Sequence, residues 1–104
     1  ITVLGLVDTG NGLRDPVSGK EVAVLEEEVW SKMTWAQREE KYKVIPFHSV
    51  GKSNGIMDGY EVNRIVVKTQ SQTRELFRMP VAVYKGKLSV KGEYRMILPP
   101  GWLS

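Results

Sequence analysis

The chain has 104 residues, of which 41% are hydrophobic and 26% are charged, so one globular domain is expected and wholesale disorder is excluded. It contains no cysteine and only one histidine, which excludes a disulfide framework, a thiolate metal site and a histidine-rich metal site. We expect neither a metal nor a cofactor. The net charge is +3, but basic and acidic residues are interspersed without a long positive block, so no nucleic-acid partner is expected.

The chain opens with a short apolar segment, residues 3–7, that stops at a cluster of turn-forming residues, 8–12. This order predicts a strand that feeds a tight loop. Turn signals at residues 14–19, an Asp-Pro and a Ser-Gly pair, precede a stretch at residues 21–25 that is rich in β-branched side chains. The sequence therefore predicts a hairpin directly after the first loop.

One short helical insertion is predicted near residues 26–40. Val29, Trp30 and Met33 are spaced to share one helical face, and residues 34–37 have the spacing of a capping box. Trp30 and Trp35 are expected in the hydrophobic core, because large aromatic side chains bury substantial area. A face directed toward a partner protein or a membrane domain is the alternative.

Strand-like segments account for the rest of the chain. Residues 44–50, a small and polar turn at 51–55 and residues 56–67 predict a long hairpin. Alternating apolar residues predict further strands within 76–84 and 88–98. About seven short strands and one helix in a single domain, residues 1–104, are typical of the mainly all-β class, here as a closed β-barrel.

The candidate chemistry lies in the Asp8-Thr9-Gly10 triplet, which directly follows the first predicted strand. Thr9 can hydrogen-bond across a two-fold axis, and Gly10 lets backbone approach the Asp8 carboxylate closely. Two such loops face to face would share one proton between two carboxylates. One carboxylate would then act as base toward water and the other as acid toward a carbonyl, a pattern typical of peptide hydrolysis without a metal.

The chain contains one Asp-Thr-Gly triplet, whereas this chemistry needs two. We therefore expect a homodimer, in which a second copy of the chain supplies the second Asp8. The rival interpretation is that the triplet is an ordinary turn in a small basic β-barrel, a binding or dimerisation module without catalytic activity. Asp15 and Asp58 fit turn roles, and His48 fits an ordinary polar strand residue.

Two blocks of sequence resemble the sporulation sigma-factor-processing aspartic peptidases of endospore-forming bacteria, a family with a retroviral-type, retropepsin-like fold. The first block is residues 6–16, Leu-Val-Asp-Thr-Gly-Asn-Gly-Leu-Arg-Asp-Pro, and the second is residues 44–55, Val-Ile-Pro-Phe-His-Ser-Val-Gly-Lys-Ser-Asn-Gly. The order of the triplet, the stretch at residues 24–27, the hairpin tip and residues 96–99 also resembles retroviral-type peptidases. The resemblance covers essentially the whole chain.

The resemblance implies roles for particular residues. Asp8 would be the catalytic carboxylate, and Thr9, Gly10 and Asn11 would complete the active-site loop. Ile97-Leu98 would form an apolar strand that crosses behind this loop. The hairpin tip would be a flap that closes over the substrate, formed by Val50, Gly51, Lys52, Ser53, Asn54 and Gly55.

The resemblance also implies a substrate, partners and a location. The substrate would be an inactive sigma-factor precursor in the mother cell. Members of this family carry an amino-terminal multi-pass membrane region, and this chain opens in strand-like sequence without an initiator Met. We therefore expect it to be the cytoplasm-facing domain of a cell-membrane protein at the sporulation septum, with an activating protein acting through the membrane region.

Overall fold

The structure, a computed structural model, describes residues 1–10, 12–33, 38–47 and 55–104, with residues 38–40 described by their backbone alone. Its strands are β1 (Gly5–Val7), β2 (Ala23–Glu26), β3 (Arg38–Phe47), β4 (Gly55–Lys68), β5 (Thr73–Tyr84) and β6 (Met96–Leu98). One α-helix, α1 (Glu27–Ser31), follows β2, and a 3-10 helix (Pro100–Leu103) follows β6. The predicted mainly-β class is confirmed. In the described ranges, no helix has the length and apolar character needed to cross a bilayer.

The strands of the described residues form one six-stranded sheet in the order β1-β6-β2-β5-β4-β3. The β1–β6 and β2–β5 pairs are parallel, and the β2–β6, β3–β4 and β4–β5 pairs are antiparallel. This part of the chain forms an open sheet with β1 at one edge and β3 at the other, so closure into the predicted barrel is not shown. With only three residues, β1 offers few backbone groups for pairing with the much longer β3.

Strand β6 lies between β1 and β2, the two strands that flank the Asp8 loop. Val7 is in register with Leu98, and β1 approaches β6 closely. A Cβ atom at Gly5 would lie 3.0 Å from Leu98 Cδ1, so a larger residue at this position would push the strands apart. The apolar strand that the resemblance implies at Ile97-Leu98 therefore runs directly beside the loop.

Strands β3 and β4 form the predicted long hairpin, and β4 continues along β5. Strand β4 pairs with β5 from Gly59 to Lys68, whereas residues 55–58 pair with β3 alone. Residues 55–58 of β4 and their partners in β3 therefore project beyond the β4–β5 pairing. In the described structure, β3 ends at Phe47 and β4 begins at Gly55. We call the Lys43–Gly59 pair the root of the hairpin, because it is where the projecting part begins.

Hydrophobic residues cover both faces of the central sheet. Because side chains alternate along a strand, β2 contributes Ala23 and Leu25 to one face and Val24 to the other. The helix-side cluster is built around Ala23, Leu25, Val29, Trp30, Val62, Val67, Val81, Val83, Leu98 and Trp102. The hairpin-side cluster is built around Val22, Val24, Ile45 and Ala82, with Leu13, Met57, Leu88 and Ile97 packed against it. Burial on both faces explains the continuous apolar run at residues 22–25.

Two predicted boundaries are wrong. Helix α1 ends at Ser31, and residues 38–40 of the predicted insertion belong to β3, where their backbone pairs with β4. The strand predicted over residues 88–98 is only Met96–Leu98. Ahead of it, the buried Glu26 carboxylate accepts a hydrogen bond of 2.8 Å from the Leu88 N–H, which therefore donates to a side chain instead of a β-ladder.

The described tryptophans are core residues. Trp30 is buried and stacks on Tyr60 with ring centroids 4.5 Å apart, which confirms its predicted position, whereas Trp35 lies outside the described residues. Trp102 is 2% exposed, and its Nε1–H donates a 3.2 Å hydrogen bond to the Glu21 carbonyl. The 3-10 helix is thus fastened to the segment that leads into β2.

Replacing Trp102 by Ala should lower the free energy of unfolding by about 3–5 kcal/mol, because it leaves a cavity in the helix-side cluster and removes the hydrogen bond to Glu21. The matched control is Val90→Ala, since Val90 is 94% exposed and its truncation should change stability by less than about 0.5 kcal/mol. Chemical denaturation measures both variants. Equal stability of the two variants would contradict the anchoring role of Trp102.

Candidate active site

Asp8 is the first residue after β1, and strand β6 holds its backbone. The Asp8 N–H donates a hydrogen bond of 3.0 Å to the Leu98 carbonyl, which extends the β1–β6 pairing beyond Val7. The Asp8 side chain is half-buried, whereas Thr9 and Gly10 are exposed. The sheet therefore fixes the start of the loop and leaves its outer part open to solvent.

The Asp8 carboxylate folds back onto its own loop. Its Oδ1 accepts a hydrogen bond of 2.8 Å from the Gly10 N–H, the geometry of an Asx turn. A Cβ atom at Gly10 would lie 3.3 Å from this oxygen, closer than ordinary van der Waals contact. Glycine thus allows the backbone to approach the carboxylate, as the sequence predicts for Gly10. This bond orients Oδ1 of Asp8, and its donor is a backbone N–H, not another side chain.

The structure brings Asp8, Thr9 and Gly10 together in one loop, but most of the predicted flap cannot be placed. Asn11, His48 and residues 50–54 lie outside the described residues. Of the predicted flap, only Gly55 is described, and it pairs with Phe47 across the hairpin. A Cβ atom at Gly55 would lie 2.4 Å from Phe47 Cζ, so this glycine makes room for the aromatic ring.

Asp15 has a partner that sequence reasoning missed. The turn role predicted for Asp15 is confirmed, because its carboxylate accepts hydrogen bonds from the Val17 N–H at 2.9 Å and the Ser18 hydroxyl at 2.9 Å. The same carboxylate also forms an ion pair with Lys43 of β3, with 2.7 Å between Oδ2 and Nζ. Asp15 is 1% exposed and the Lys43 side chain 17%, so the pair is largely shielded from water. No local pattern connects two residues so far apart in the sequence.

The environment of Asp15 sets the direction of its pKa shift. Burial alone would raise the pKa of this carboxyl group. Hydrogen bonds from Lys43, Val17 and Ser18, together with the positive charge of Lys43, outweigh burial and hold the pKa below its ordinary value of 3.8. The folded protein therefore favours the ionised form of Asp15.

This shift predicts a loss of stability in acid. Because the folded-state pKa lies below 3.8, ionised Asp15 contributes stability that is complete above that value and is lost as pH falls through the lower, folded value. The difference in unfolding free energy between wild type and Asp15→Asn should therefore shrink as pH is lowered from neutral toward about 2. The comparison isolates Asp15, because every other side chain is the same in the two proteins. Denaturation curves across this range measure the difference, and a constant value would contradict the prediction.

Among the described residues, no group of three or more His, Asp or Glu side chains is arranged to hold a metal ion. At the end of β1, the Asp8 carboxylate accepts a hydrogen bond from the backbone N–H of Gly10. A carboxylate held by a backbone donor on an open loop is suited to proton transfer, either as base or as acid.

Comparison with known proteins identifies the family. The family model Peptidase_U4, described as sporulation factor SpoIIGA, matches residues 1–102. The chain belongs to the Peptidase_U4 family. This match confirms the family resemblance drawn from the two sequence blocks, and it makes the chain a sporulation peptidase of the SpoIIGA type. Neither the search of curated proteins nor the search of solved structures found a match.

The Asp8 loop offers a matched pair of glycines for testing its role in this Peptidase_U4 chain. Gly10→Ala should lower the rate of peptide hydrolysis by about tenfold or more, because its Cβ would crowd Asp8 Oδ1 and turn the carboxylate away. Gly12→Ala is the control, since a Cβ at Gly12 meets no atom within 4 Å. Steady-state assays compare the two variants. Equal rates would show that the close approach at Gly10 is not needed.

Proposed function

We propose that the chain is one half of an aspartic endopeptidase whose active site takes Asp8 from each of two chains. Its substrate is an inactive sporulation sigma-factor precursor. The observation that carries this proposal is the Asp8 loop, in which an apolar strand ends at a carboxylate oriented by the Gly10 N–H, within a chain of a peptidase family. Thr9 and Gly10 complete the Asp-Thr-Gly triplet that the chemistry requires.

The proposed reaction needs two carboxylates that share one proton. The ionised carboxylate takes a proton from a water molecule as the water oxygen attacks the carbonyl carbon of the peptide bond. The protonated carboxylate donates its proton to the carbonyl oxygen, which gives a tetrahedral diol. The carboxyl group that took the proton from water then donates it to the amide nitrogen, while the other carboxylate takes back a proton from a diol hydroxyl. The C–N bond breaks, the carbonyl re-forms, and an amine and a carboxylic acid are released. Two carboxylates close together hold a single proton because full ionisation would place like charges side by side.

The surroundings of Asp8 support pairing of two chains. Each chain has one Asp-Thr-Gly triplet, so a second carboxylate of this type has to come from another copy. Strand β1 is an edge strand, and it carries Leu6 and Val7 with 42% and 43% of their surface exposed. Leu4, just before β1, is 74% exposed. Covering these apolar side chains with a second chain is favourable by about 25 cal/mol for each Å² removed from water.

The resemblance supports the proposed substrate and location, and the family description supports a role in sporulation. A sporulation factor with peptidase chemistry fits the maturation of a sigma-factor precursor in the mother cell. The chain would lie on the cytoplasmic side of the membrane at the sporulation septum. A membrane region would hold two copies at high effective concentration, and an activating protein acting through that region would control how they approach each other.

Asp8→Asn should abolish hydrolysis of the sigma-factor precursor while leaving the fold intact. Asn has nearly the same shape as Asp and can still accept the Gly10 N–H, but it cannot share a proton or act as base. Cleavage of the purified precursor is followed by gel electrophoresis and mass spectrometry, and circular dichroism checks the fold.

The control for this experiment is Glu75→Gln. Glu75 is a surface residue that pairs with Arg64 between β4 and β5, so its neutralisation should leave cleavage unchanged. Cleavage that survives in Asp8→Asn would reject the aspartic mechanism. Absence of cleavage in wild-type chains that are demonstrably paired would favour the rival interpretation, a binding or dimerisation module without catalytic activity.

A further inference from the structure

The ion pair between Asp15 and Lys43 lies at the root of the hairpin. Lys43 pairs in register with Gly59, the residue at which the pairing of β4 with β5 ends. Beyond this point, residues 44–47 and 55–58 pair only with each other. The ion pair therefore contacts the hairpin at the point where its projecting part begins.

Asp15 belongs to a compact segment that directly follows the Asp8 loop. Its N–H donates to the Lys20 carbonyl at 3.0 Å, and its carbonyl accepts from the Gly19 N–H at 2.8 Å, so the turn is closed on both sides. The turn is also fastened to β5, because Lys20 Nζ donates a hydrogen bond of 3.2 Å to the Arg78 carbonyl. Asp15 thus lies in a turn held by several hydrogen bonds, and Lys43 is the side chain that reaches it.

Other polar pairs of the hairpin act within the hairpin. Tyr42 donates to Asp58 at 2.8 Å, and Lys41 lies 3.8 Å from Glu61, so both pairs join β3 to β4. The Asp15–Lys43 pair differs because it joins β3 to the segment after Asp8. It lies beside the hairpin-side cluster, where Ile45 is fully buried and Leu13 packs.

A shielded ion pair is a poor source of stability. The desolvation of two charges offsets much of their attraction, and well-packed apolar replacements are often neutral or stabilising. What such a pair supplies is a definite geometry, since the ammonium group has to meet a fixed carboxylate. Because the ion pair lies at the root of the hairpin, the property that it can control is the orientation of the hairpin.

We propose that Asp15 and Lys43 are positioning residues that set the orientation of the described part of the β3–β4 hairpin relative to the turn that follows the Asp8 loop, and thereby govern substrate capture. The substrate part of this inference rests on the proposed peptidase function. The hairpin part does not, because it concerns only contacts within the folded chain. Loss of the pair leaves the Asp8 loop intact and lets the hairpin sample wider orientations at its root.

The test uses Lys43→Met, which keeps an unbranched apolar stem and removes the charge. The matched control is Lys41→Met, on the same strand, where Lys41 is 63% exposed and its pair with Glu61 is long. Hydrogen exchange of β3 and β4 amides on either side of the root should be roughly five- to tenfold faster in Lys43→Met, with central strands β2 and β5 unchanged. With the purified sigma-factor precursor, KM should rise by a similar factor while kcat changes less.

The double variant Asp15→Asn, Lys43→Met separates positioning from stability. It has no unpaired buried charge, so it should be more stable than Lys43→Met and should fold even if the single variant does not. If the pair positions the hairpin, exchange at the root and KM stay raised in the double variant. Wild-type exchange at the root in either variant would overturn the proposal. If wild-type chains that are demonstrably paired cleave no precursor, the peptidase function fails, while hydrogen exchange alone still decides the role of the ion pair.

Discussion

The Asp8 N–H donates a hydrogen bond to the Leu98 carbonyl, and this bond requires strand β6 to lie between β1 and β2. Several contacts of the described fold hold β6 in that position. A strand of three residues is too short to be stable alone. It is held by packing on both faces, since Leu98 belongs to the helix-side cluster and Ile97 packs against the hairpin-side cluster. Before the strand, the Arg95 backbone bonds to Leu4 and to Glu26, and after it Trp102 anchors the chain.

The Asp8 loop is held at its start by the sheet and is exposed in its outer part. Strand β6 fixes the backbone of Asp8, while Thr9, Gly10 and β1 are exposed to solvent. The hairpin is supported differently. Beyond the root its two strands pair only with each other. The hairpin contacts the chain that follows the Asp8 loop through the Lys43–Asp15 ion pair at its root and through the hairpin-side cluster. A hairpin with few contacts beyond its root opens at a lower free energy than the strands of the central sheet.

The parts of the fold that could be predicted are those whose signal is local. The apolar run at residues 22–25, the spacing around Trp30 and the turn at Asp15 each depend on neighbouring residues, and the structure contains the predicted strand, helix and turn. The Asp8 triplet could be recognised because the chemistry needs those residue types in sequence. Alternation of apolar residues predicted a strand that includes Ile97-Leu98, and the resemblance alone placed that strand behind the loop.

The remainder depends on pairings between distant parts of the chain. Strand β6 is much shorter than the alternating stretch that predicts it, because Glu26 accepts the Leu88 N–H and takes it out of the longer strand. The polar stretch at residues 38–40 looks helical or loop-like in isolation, and pairing with β4 makes it strand. Nothing near Asp15 indicates Lys43, because only the completed sheet brings the hairpin root beside the turn.

The central claim is that each active site needs Asp8 from two chains. The most direct measurement uses two copies of the chain joined by a flexible linker long enough for their Asp8 loops to meet, so that pairing no longer depends on concentration. Precursor cleavage is compared, at concentrations where linked molecules stay separate, between the linked pair with both Asp8 residues and one with Asp8→Asn in a single copy. We expect precursor cleavage by the linked pair with both Asp8 residues and essentially none when one copy carries Asp8→Asn. Retention of about half the activity would contradict it, because each copy would then act alone.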